Sequence, residues 1–437
     1  MTAEEPTIES ETTMRKTKAL FGLALGCVVL ALGAVSASAG VSRSKDVVTL
    51  NATLVNTVQN AWEQTIQTFE EKYPNIHINA TYLDSTSLAT LIGTQLQAGN
   101  APDIFTGGPG VGPTGIATLA PEGKLLDLSD AKWVKRIPAS GIAGFTWNNK
   151  VWGWPNALGT NGVFYNVDVF KQLKLKPPTN LSDVFALCKK INAAGKVPIA
   201  LGIAGSLVGI QVMALQLEQQ FVFGRDPNWV SERIANKVTF SSSPLWRAMF
   251  QTIVNLNKDG CFEPNPVGTS YPNGAASLVA SGQAAMEFLS GGTVASVTSV
   301  NPNINYKMFE LPPDNSGGKH TVASVGWSLS TVANGATKHP AEVKTFFNYI
   351  ADPDVDYTWA KLAGSIAPLD ASKGIFPDYL KDADAPLAKA GRLLINPSWQ
   401  IPSTAFTNAW TNDIVGLFTG QQTVTSALAD LDKSWSN

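Results

Sequence analysis

The chain has 437 residues, 44% of them hydrophobic and only 15% Asp, Glu, Lys or Arg, against roughly 25% charged in an ordinary soluble protein. Its 19 Phe, 12 Trp and 8 Tyr can build a large core, which excludes a disordered chain, and the length points to about two or three domains. A net charge of -2 with no basic stripe excludes the phosphate neutralisation on which nucleic-acid binding depends.

Residues 2–13 are acidic and polar, and a different text begins at Met14. Arg15, Lys16 and Lys18 precede an apolar run from Ala19 to Val35, and Ala37-Ser38-Ala39 supplies a small-residue cleavage site. This is the pattern of a secretory signal over residues 1–39, with a mature chain from about Gly40 and with Met1 or Met14 as the start. An uncleaved anchor stays open, because the apolar run is close to the roughly 17 to 25 residues that span a bilayer. A lipid on Cys27 stays open too, although Ala24-Leu25-Gly26-Cys27 is an imperfect lipobox and the apolar run continues beyond it. Without residues 1–39 the chain keeps 29 basic against 30 acidic side chains, so the exported part is neutral.

Along that part, Val48, Leu50, Ala52 and Leu54 alternate as a strand, and so do Ile76, Ile78, Ala80 and Tyr82. Between them Trp62, Ile66, Phe69 and Tyr73 share one helical face. A second helix carries Leu88, Leu91, Ile92 and Leu96, stops at Gly99-Asn100 and leads into a short strand at Pro102 to Phe105. This alternation predicts an α/β chain with mainly parallel sheets, whose ligands sit beyond the carboxyl ends of strands. Further strands are expected at Gly162 to Tyr165, Pro198 to Leu201 and Ala284 to Leu289, the last followed by a tight Gly291-Gly292 turn. Helices are expected around Val184 to Ile191 and around Trp246, Phe250 and Ile253. Leu311 to Gly318, rich in Pro and Gly, reads as a linker crossing between lobes. Trp410, Ile414 and Leu417, ended by Gly420, and then Val424, Leu428, Leu431 and Trp435 make two closing helices.

Few motifs carry chemistry. Gly110-Val111-Gly112-Pro113-Thr114-Gly115 matches G-x-G-x-x-G, but Pro109 and Pro113 make it a rigid close-approach loop rather than a dinucleotide site. Ser316 to Lys319 spells S-x-x-K within the Pro/Gly stretch instead of opening a helix. No nucleophile is paired with a base, and no specific carboxylate pair of the glycosidase kind stands out. His77, His320 and His339 lie far apart, so neither a metal nor a cofactor is expected. Cys188 and Cys261 remain in an exported chain, where a disulfide persists. A bridge between them and a buried thiol at Cys188 are both open. Tryptophan is the positive signal, because sugars stack their C–H faces on aromatic rings and bond their hydroxyls to Asn, Asp, Thr and backbone. Trp152, Trp154 and Trp327 sit in polar stretches, whereas Trp62, Trp246 and Trp435 fall on helical core faces.

Several segments, taken together in order, give a resemblance: Phe69 to Ile76, Ala98 to Phe105, Gly123 to Leu128, Val151 to Pro155, Phe164 to Phe170, Pro177 to Thr179, Gly282 to Met286, and Thr419 to Val424 leading to Ala427-Leu428. On these the chain resembles the extracellular solute-binding proteins of ABC transporters, family 1, typified by maltose-binding protein. The resemblance implies an α/β, periplasmic-binding-protein-like (type II) fold, two α/β lobes with a hinge and an inter-lobe ligand cleft. It implies lobe 1 from residues 40–157 plus 320–361 and lobe 2 from 158–319 plus 362–437.

By position it implies ligand contacts from Asn56, Thr57, Thr106, Gly107 and Gly108, and from Asn156, Thr160 and Asn161 at the crossing. Gly291, Gly292, Thr293, Gly326, Trp327 and Trp410 complete the set, with Asp84 as a further hydroxyl acceptor. Two departures stand against a maltose-type specificity. Gly202 to Leu207 and Ser290 to Thr293 lack the aromatic groups that such members carry there. The function implied is a monomeric, exported receptor, periplasmic or extracellular, that delivers a neutral mono- or oligosaccharide to ABC permease subunits without enzymatic activity. An exported glycan-active enzyme, a receptor for a non-sugar solute, and a sensing or adhesion role remain alternatives.

Overall fold

A computed structural model describes residues 47–435 except 138, 205–207, 272, 370–375 and 398–403. The signal, its cleavage site and Cys27 lie outside the described residues, as does the side chain of Trp327. Among the described residues no helix is long and apolar enough to cross a membrane.

The first elements follow the periodicities of the sequence. β1 (Val48–Val55) pairs in parallel with β2 (Ile76–Leu83), from Val48 opposite Ile76 to Val55 opposite Leu83. α1 (Gln59–Lys72) joins them and buries Trp62 and Phe69, whose rings meet Trp359 at 5.2 Å and Phe346 at 5.0 Å. α2 (Ser85–Ala98) starts where Asp84 accepts the backbone N–H groups of Thr86 and Ser87, two of the donors a helix start leaves unpaired. Gly99 ends it with φ +74°, a left-handed conformation that only a residue without Cβ takes freely. β3 (Ile104–Thr106) then pairs in parallel with β1.

The centre of the sheet differs from the mainly parallel arrangement expected. β4 (Gly153–Asn166) is buried along its whole length and begins well before the strand anticipated at Gly162. It continues to β5 (Val197–Ala200), β6 (Ala284–Ser290) and β7 (Tyr306–Phe309), and then to β8 (Ala323–Ala333) and β9 (Leu393–Ile395). The order across the sheet is β2-β1-β3-β8-β4-β6-β5, with β9 beside β8 and β7 beside β4. β8 runs antiparallel to β3 and β4, and β4 runs antiparallel to β6 and β7. Only the outer pairs β1–β2, β1–β3, β5–β6 and β8–β9 are parallel. The reason is connectivity: β8 returns to the first βαβ unit from the far side of the fold and enters its sheet reversed.

Apolar packing changes sides along these strands. Ala157 packs with Trp154 and the β1 residues, whereas Leu158 packs with Phe164 and Leu289. On β8, Val325 belongs to the second group and Leu329 packs against the first. A third segment meets them where Leu158 N donates to Ile366 O at 2.9 Å and Ile366 N donates back at 3.0 Å. Ala367 and Leu369 still pack in the first core, and from Phe376 on the packing is in the second. Leu311 to Gly318 does not cross. Leu311 is in the second core, Asp314 O accepts from Leu181 N, and Asn315 Oδ1 accepts from Ser182 N. The stretch folds over the start of α3 (Leu181–Ala193) because that helix end needs acceptors for its free N–H groups.

The second core also contains α4 (Val208–Glu218) and α5 (Pro244–Lys258). α6 (Pro340–Ile350) and α7 (Pro353–Leu362) cover the first core. α8 (Asp384–Lys389), α9 (Thr404–Thr419) and α10 (Val424–Ser434) finish the second. Cys188 on α3 and Cys261 after α5 form a disulfide, both fully buried, 73 residues apart in sequence. By loop-closure entropy a bridge of this span contributes about 4 kcal/mol. Replacing both cysteines by alanine should therefore lower the urea midpoint by a few kcal/mol in free-energy terms without changing the far-UV spectrum. A loss under about 1 kcal/mol would show that the entropy of this loop is already restricted in the unfolded chain.

Candidate functional site

A cleft of about 1020 Å³ opens over the crossing strands and is walled by both cores. Gly159 on β4, Gly326 on β8 and Gly364 after α7 line it, so at each crossing segment bare backbone faces the cavity. Gly364 also has φ +63°, which turns the chain back toward Leu158. On the first-core side, the loop after β3 contributes Gly107, Gly108 and Pro109. This loop carries the G-x-G-x-x-G text and folds tightly on itself: Gly108 N donates to Thr114 O, and Ile116 N donates to Gly108 O at 2.8 Å. A Cβ on Gly107 would lie 2.7 Å from Thr114 O, and one on Gly115 would lie 2.4 Å from Gly110 O, so the glycines serve close backbone approach.

The second-core side supplies polar groups and rings. Asn161 faces the cleft with its amide, and Gln211 and Glu218 reach it from α4. Tyr306 and Tyr379 form an aromatic wall, centroids 5.7 Å apart, backed by Phe164 at 5.3 Å from Tyr379. The Tyr379 hydroxyl donates to Gly364 O at 3.1 Å and so tethers the third crossing segment. Among the described lining residues Glu218 is the only carboxylate, and none is Lys, Arg or His. Burial pushes the Glu218 carboxyl up to about 8, and a hydrogen bond from Asn396 Nδ2 to its Oε1 at 2.9 Å works in the opposite direction. Among the described residues no group of His, Cys, Asp and Glu could hold a metal ion.

Of the residues expected at the ligand, Thr57, Thr106, Gly107, Gly108, Asn161, Gly291, Thr293, Gly326 and Trp410 line the cleft. Others lie elsewhere. Asn56 is exposed beside Thr57, Asp84 caps α2 next to the lining residue Ser85, and Gly292 lies within the Gly291–Thr293 turn. Asn156 and Thr160 are buried in the sheet: Asn156 Oδ1 accepts from Thr331 Oγ1 at 2.6 Å, and Thr160 Oγ1 donates to Asp384 Oδ2 at 3.0 Å. Trp327 pairs with Leu158 through its backbone, and its side chain lies outside the described residues. Trp152 donates to Trp147 O and packs in the first core, and Trp154 stands edge-on to Trp133 at 5.0 Å. Trp410 is only 7% exposed and packs in the second core, so it offers the cleft an edge of its ring at most.

Two rings of the lining that the sequence did not mark, Tyr306 and Tyr379, come from a short strand and a 3-10 turn. Glu218 and Gln211 had a signal. In the run Gln211 to Phe223, five Gln and Glu residues interrupt Leu, Ala, Met and Phe. Polar groups inside a buried helix need partners or a cavity.

Comparison with known proteins gives consistent relatives. Residues 52–357 match the family described as bacterial extracellular solute-binding protein. A multiple sugar-binding protein of Streptococcus mutans is 25% identical over 340 residues, 75% of each chain. The sn-glycerol-3-phosphate-binding periplasmic protein UgpB of Brucella abortus is 26% identical over 257 residues, 58% of this chain and 57% of its own length. Among solved structures, RafE in complex with raffinose superposes with a TM-score of 0.70 at 20% identity, covering 89% of this chain and 98% of its own. The apo form of RafE from Streptococcus pneumoniae gives the same TM-score at 21% identity. A chitin oligosaccharide binding protein gives 0.69 at 19% identity, with 89% and 98% covered.

Behind the cleft floor lies a buried carboxyl pair. Glu310 accepts from Ser324 N at 2.7 Å and from Gln220 Nε2 at 2.7 Å. It also contacts Asp384, whose Oδ1 has no other donor. Two buried carboxyl groups in contact hold together only with a proton between them. Burial pushes both up, Glu310 to about 7, and the charge of Glu310 pushes Asp384 further. The native state therefore holds protons that the unfolded chain has released above about pH 4. Stability present at low pH is lost as the pH rises through about 7. In urea titrations from about pH 6 to 9, the wild-type midpoint should fall relative to that of Asp384→Asn. Parallel profiles would show that no proton is shared.

Proposed function

The chain belongs to the bacterial extracellular solute-binding protein family and has its two-lobed type II fold, and on that premise we propose that it captures a neutral saccharide in the cleft over the crossing strands. The observation that carries this reading is the chemistry of the lining: amide and hydroxyl groups, exposed glycine backbone and the Tyr306–Tyr379 wall, with no described base. Sugar hydroxyls need such acceptors and donors, and sugar C–H faces need rings. A phosphorylated solute would need charge-assisted donors from Lys or Arg, which the described lining does not supply. A glycosidase would need two carboxylates across the cleft, and Glu218 is the one described there. The reading is therefore binding rather than catalysis.

Closure works through the crossing segments. The first lobe is taken as residues 40–157 with the return from about 329 to 369, and the second as the remainder of the exported chain. Solute that bonds to Asn161 and the tyrosine wall on one side and to the Gly107–Gly108 loop on the other stabilises the closed arrangement over the open one. Hinge rotation needs only small φ/ψ changes at Gly159, Gly326 and Gly364. The closed form is the one that the permease subunits of an ABC importer engage. Export rests on residues 15–39, and a monomer at the outer membrane face, cleaved or tethered by that segment, completes the reading.

Titration calorimetry should find binding of a neutral oligosaccharide such as raffinose or a chitin oligomer, with a negative heat-capacity change, and none of sn-glycerol 3-phosphate. Binding of the phosphate ester in preference to every saccharide would overturn the proposal. Tyr306→Ala should weaken saccharide binding by about 1 to 3 kcal/mol and leave the ligand-free melting temperature nearly unchanged. Trp410→Ala should instead destabilise the fold by about 3 to 5 kcal/mol, as expected of a core ring.

A further inference from the structure

Glu218 occupies an unusual place in this cleft. It ends α4, is 3% exposed, and still lines the cavity. Its Oε1 accepts from Asn396 Nδ2 at 2.9 Å, and its Oε2 has no partner among the described residues. Glu218 lines the cleft, so this unpaired oxygen belongs to a lining side chain. An ionised carboxylate buried with one amide donor and no counter-charge is costly, and the inexpensive state is the acid. Burial pushes this group up to about 8 for that reason.

The strands packed on α4 carry Tyr165 on β4 and Glu287 on β6, the latter itself pushed far up by burial. α5 carries Arg247, bonded to Thr425 Oγ1 and Ser241 O, and Lys258. α9 carries Asp413, also raised by burial. Tyr306 and Tyr379 stand among the lining, and Glu310 with Asp384 lies beyond Gln220. Burial raises the Glu218 carboxyl, and the Asn396 hydrogen bond works against it.

We propose that Glu218 is a ligand-contacting acid, held protonated so that it donates a hydrogen bond to a ring or acetal oxygen of the neutral sugar, and that solute capture is lost at alkaline pH. This rests on the reading of the cleft as a saccharide site. The chemistry favours an acceptor-only oxygen. A carboxylate can only accept, and ring and glycosidic oxygens can only accept, so an ionised Glu218 would repel the atoms that a protonated one binds. A carboxylic acid kept neutral by an apolar site is a strong donor. Loss of the proton removes the bond and leaves an unpaired charge against the sugar.

The test is calorimetry of the wild-type protein with raffinose, stachyose and the chitin disaccharide at several pH values from about 6 to 9.5. For whichever saccharide binds, affinity should fall about tenfold per pH unit above the Glu218 pKa of about 8. Glu218→Gln, whose amide can donate, should bind with a constant that no longer varies with pH. Glu218→Ala should bind at least about tenfold more weakly at pH 6. A flat wild-type profile, or an alanine variant equal to wild type, overturns the proposal. So does a preference for the cationic glucosamine disaccharide over its acetylated form, which would mean a carboxylate at this position. If no saccharide binds at any pH, the sugar reading fails and the donor role falls with it. Protonation is then decided without ligand: relative to Glu218→Gln, the wild-type melting temperature should fall as the pH rises from about 5 to about 8 and level off above it, and parallel melting curves overturn the buried acid.

Discussion

The fold turns on the antiparallel pairing of β4 with β8. Val325 faces Thr160, Gly326 faces Gly159 and Val332 faces Gly153, so one ladder runs from one apolar core into the other. The register slips twice, between Trp327 and Leu329 and between Leu329 and Ser330. Such bulges bend a strand and interrupt its bonding. They fall where the packing changes sides, between Val325 in the second core and Leu329 against the first. A continuous ladder would resist bending between two packed bodies, whereas one interrupted at the crossing holds both and still allows them to move. The cleft sits on that interruption because glycine backbone there leaves the space open.

How much of this was legible depended on whether a residue faced one environment or two. β1, α1, β2 and α2 each have one buried face, so their apolar residues repeat with period 2 or 3.6, and the sequence reports them. β4 and β8 are buried on both faces, and their residues have no alternation to show. Pro155, Asn156, Gly159 and Thr160 read as a polar loop. They form instead the middle of a strand whose polar side chains find partners across the sheet, Asn156 with Thr331 and Thr160 with Asp384. A polar residue in a sequence reports that a partner exists, and not whether that partner is a ligand or another strand. Trp410 both lines the cleft and packs in the core, and the sequence pattern does not separate the two. Glu218 had a signal in the Gln and Glu residues that interrupt its helix, but that signal does not tell a cleft from a buried partner.

The low charge also takes on a different meaning. A formal charge of -2 counts every acid as ionised. Glu218, Glu287, Glu310 and Asp384 are buried, and burial raises each of them. Burial thus favours the neutral form of each of these acids, which a count of ionised side chains omits. Acids in these positions are destabilising as charges and useful as neutral groups, since each can donate as well as accept. Glu310 joins Ser324 and Gln220, Asp384 joins Thr160 and Glu218 joins Asn396, whereas both carboxyl oxygens of Glu287 are buried without a partner among the described residues.

The position of Glu218 links this interior to the cleft. The residues that follow it, Gln219 and Gln220, lie in a π-helical turn, Gln219–Phe223, where the backbone widens and both side chains point into the sheet. Gln219 Nε2 donates to Val325 O at 2.9 Å and to Leu394 O at 3.0 Å. Gln220 Nε2 reaches Glu310 Oε2, Val322 O and Ser324 Oγ, while Val322 N donates back to Gln220 Oε1. Three consecutive side chains thus bind the cleft, the crossing strand and the carboxyl pair. A regular α-helix would separate consecutive side chains by about 100° and could not aim them into one region so readily. Glu218 at the cleft is therefore followed directly by the residue that holds the Val325 carbonyl beside Gly326, where β8 passes from one core to the other.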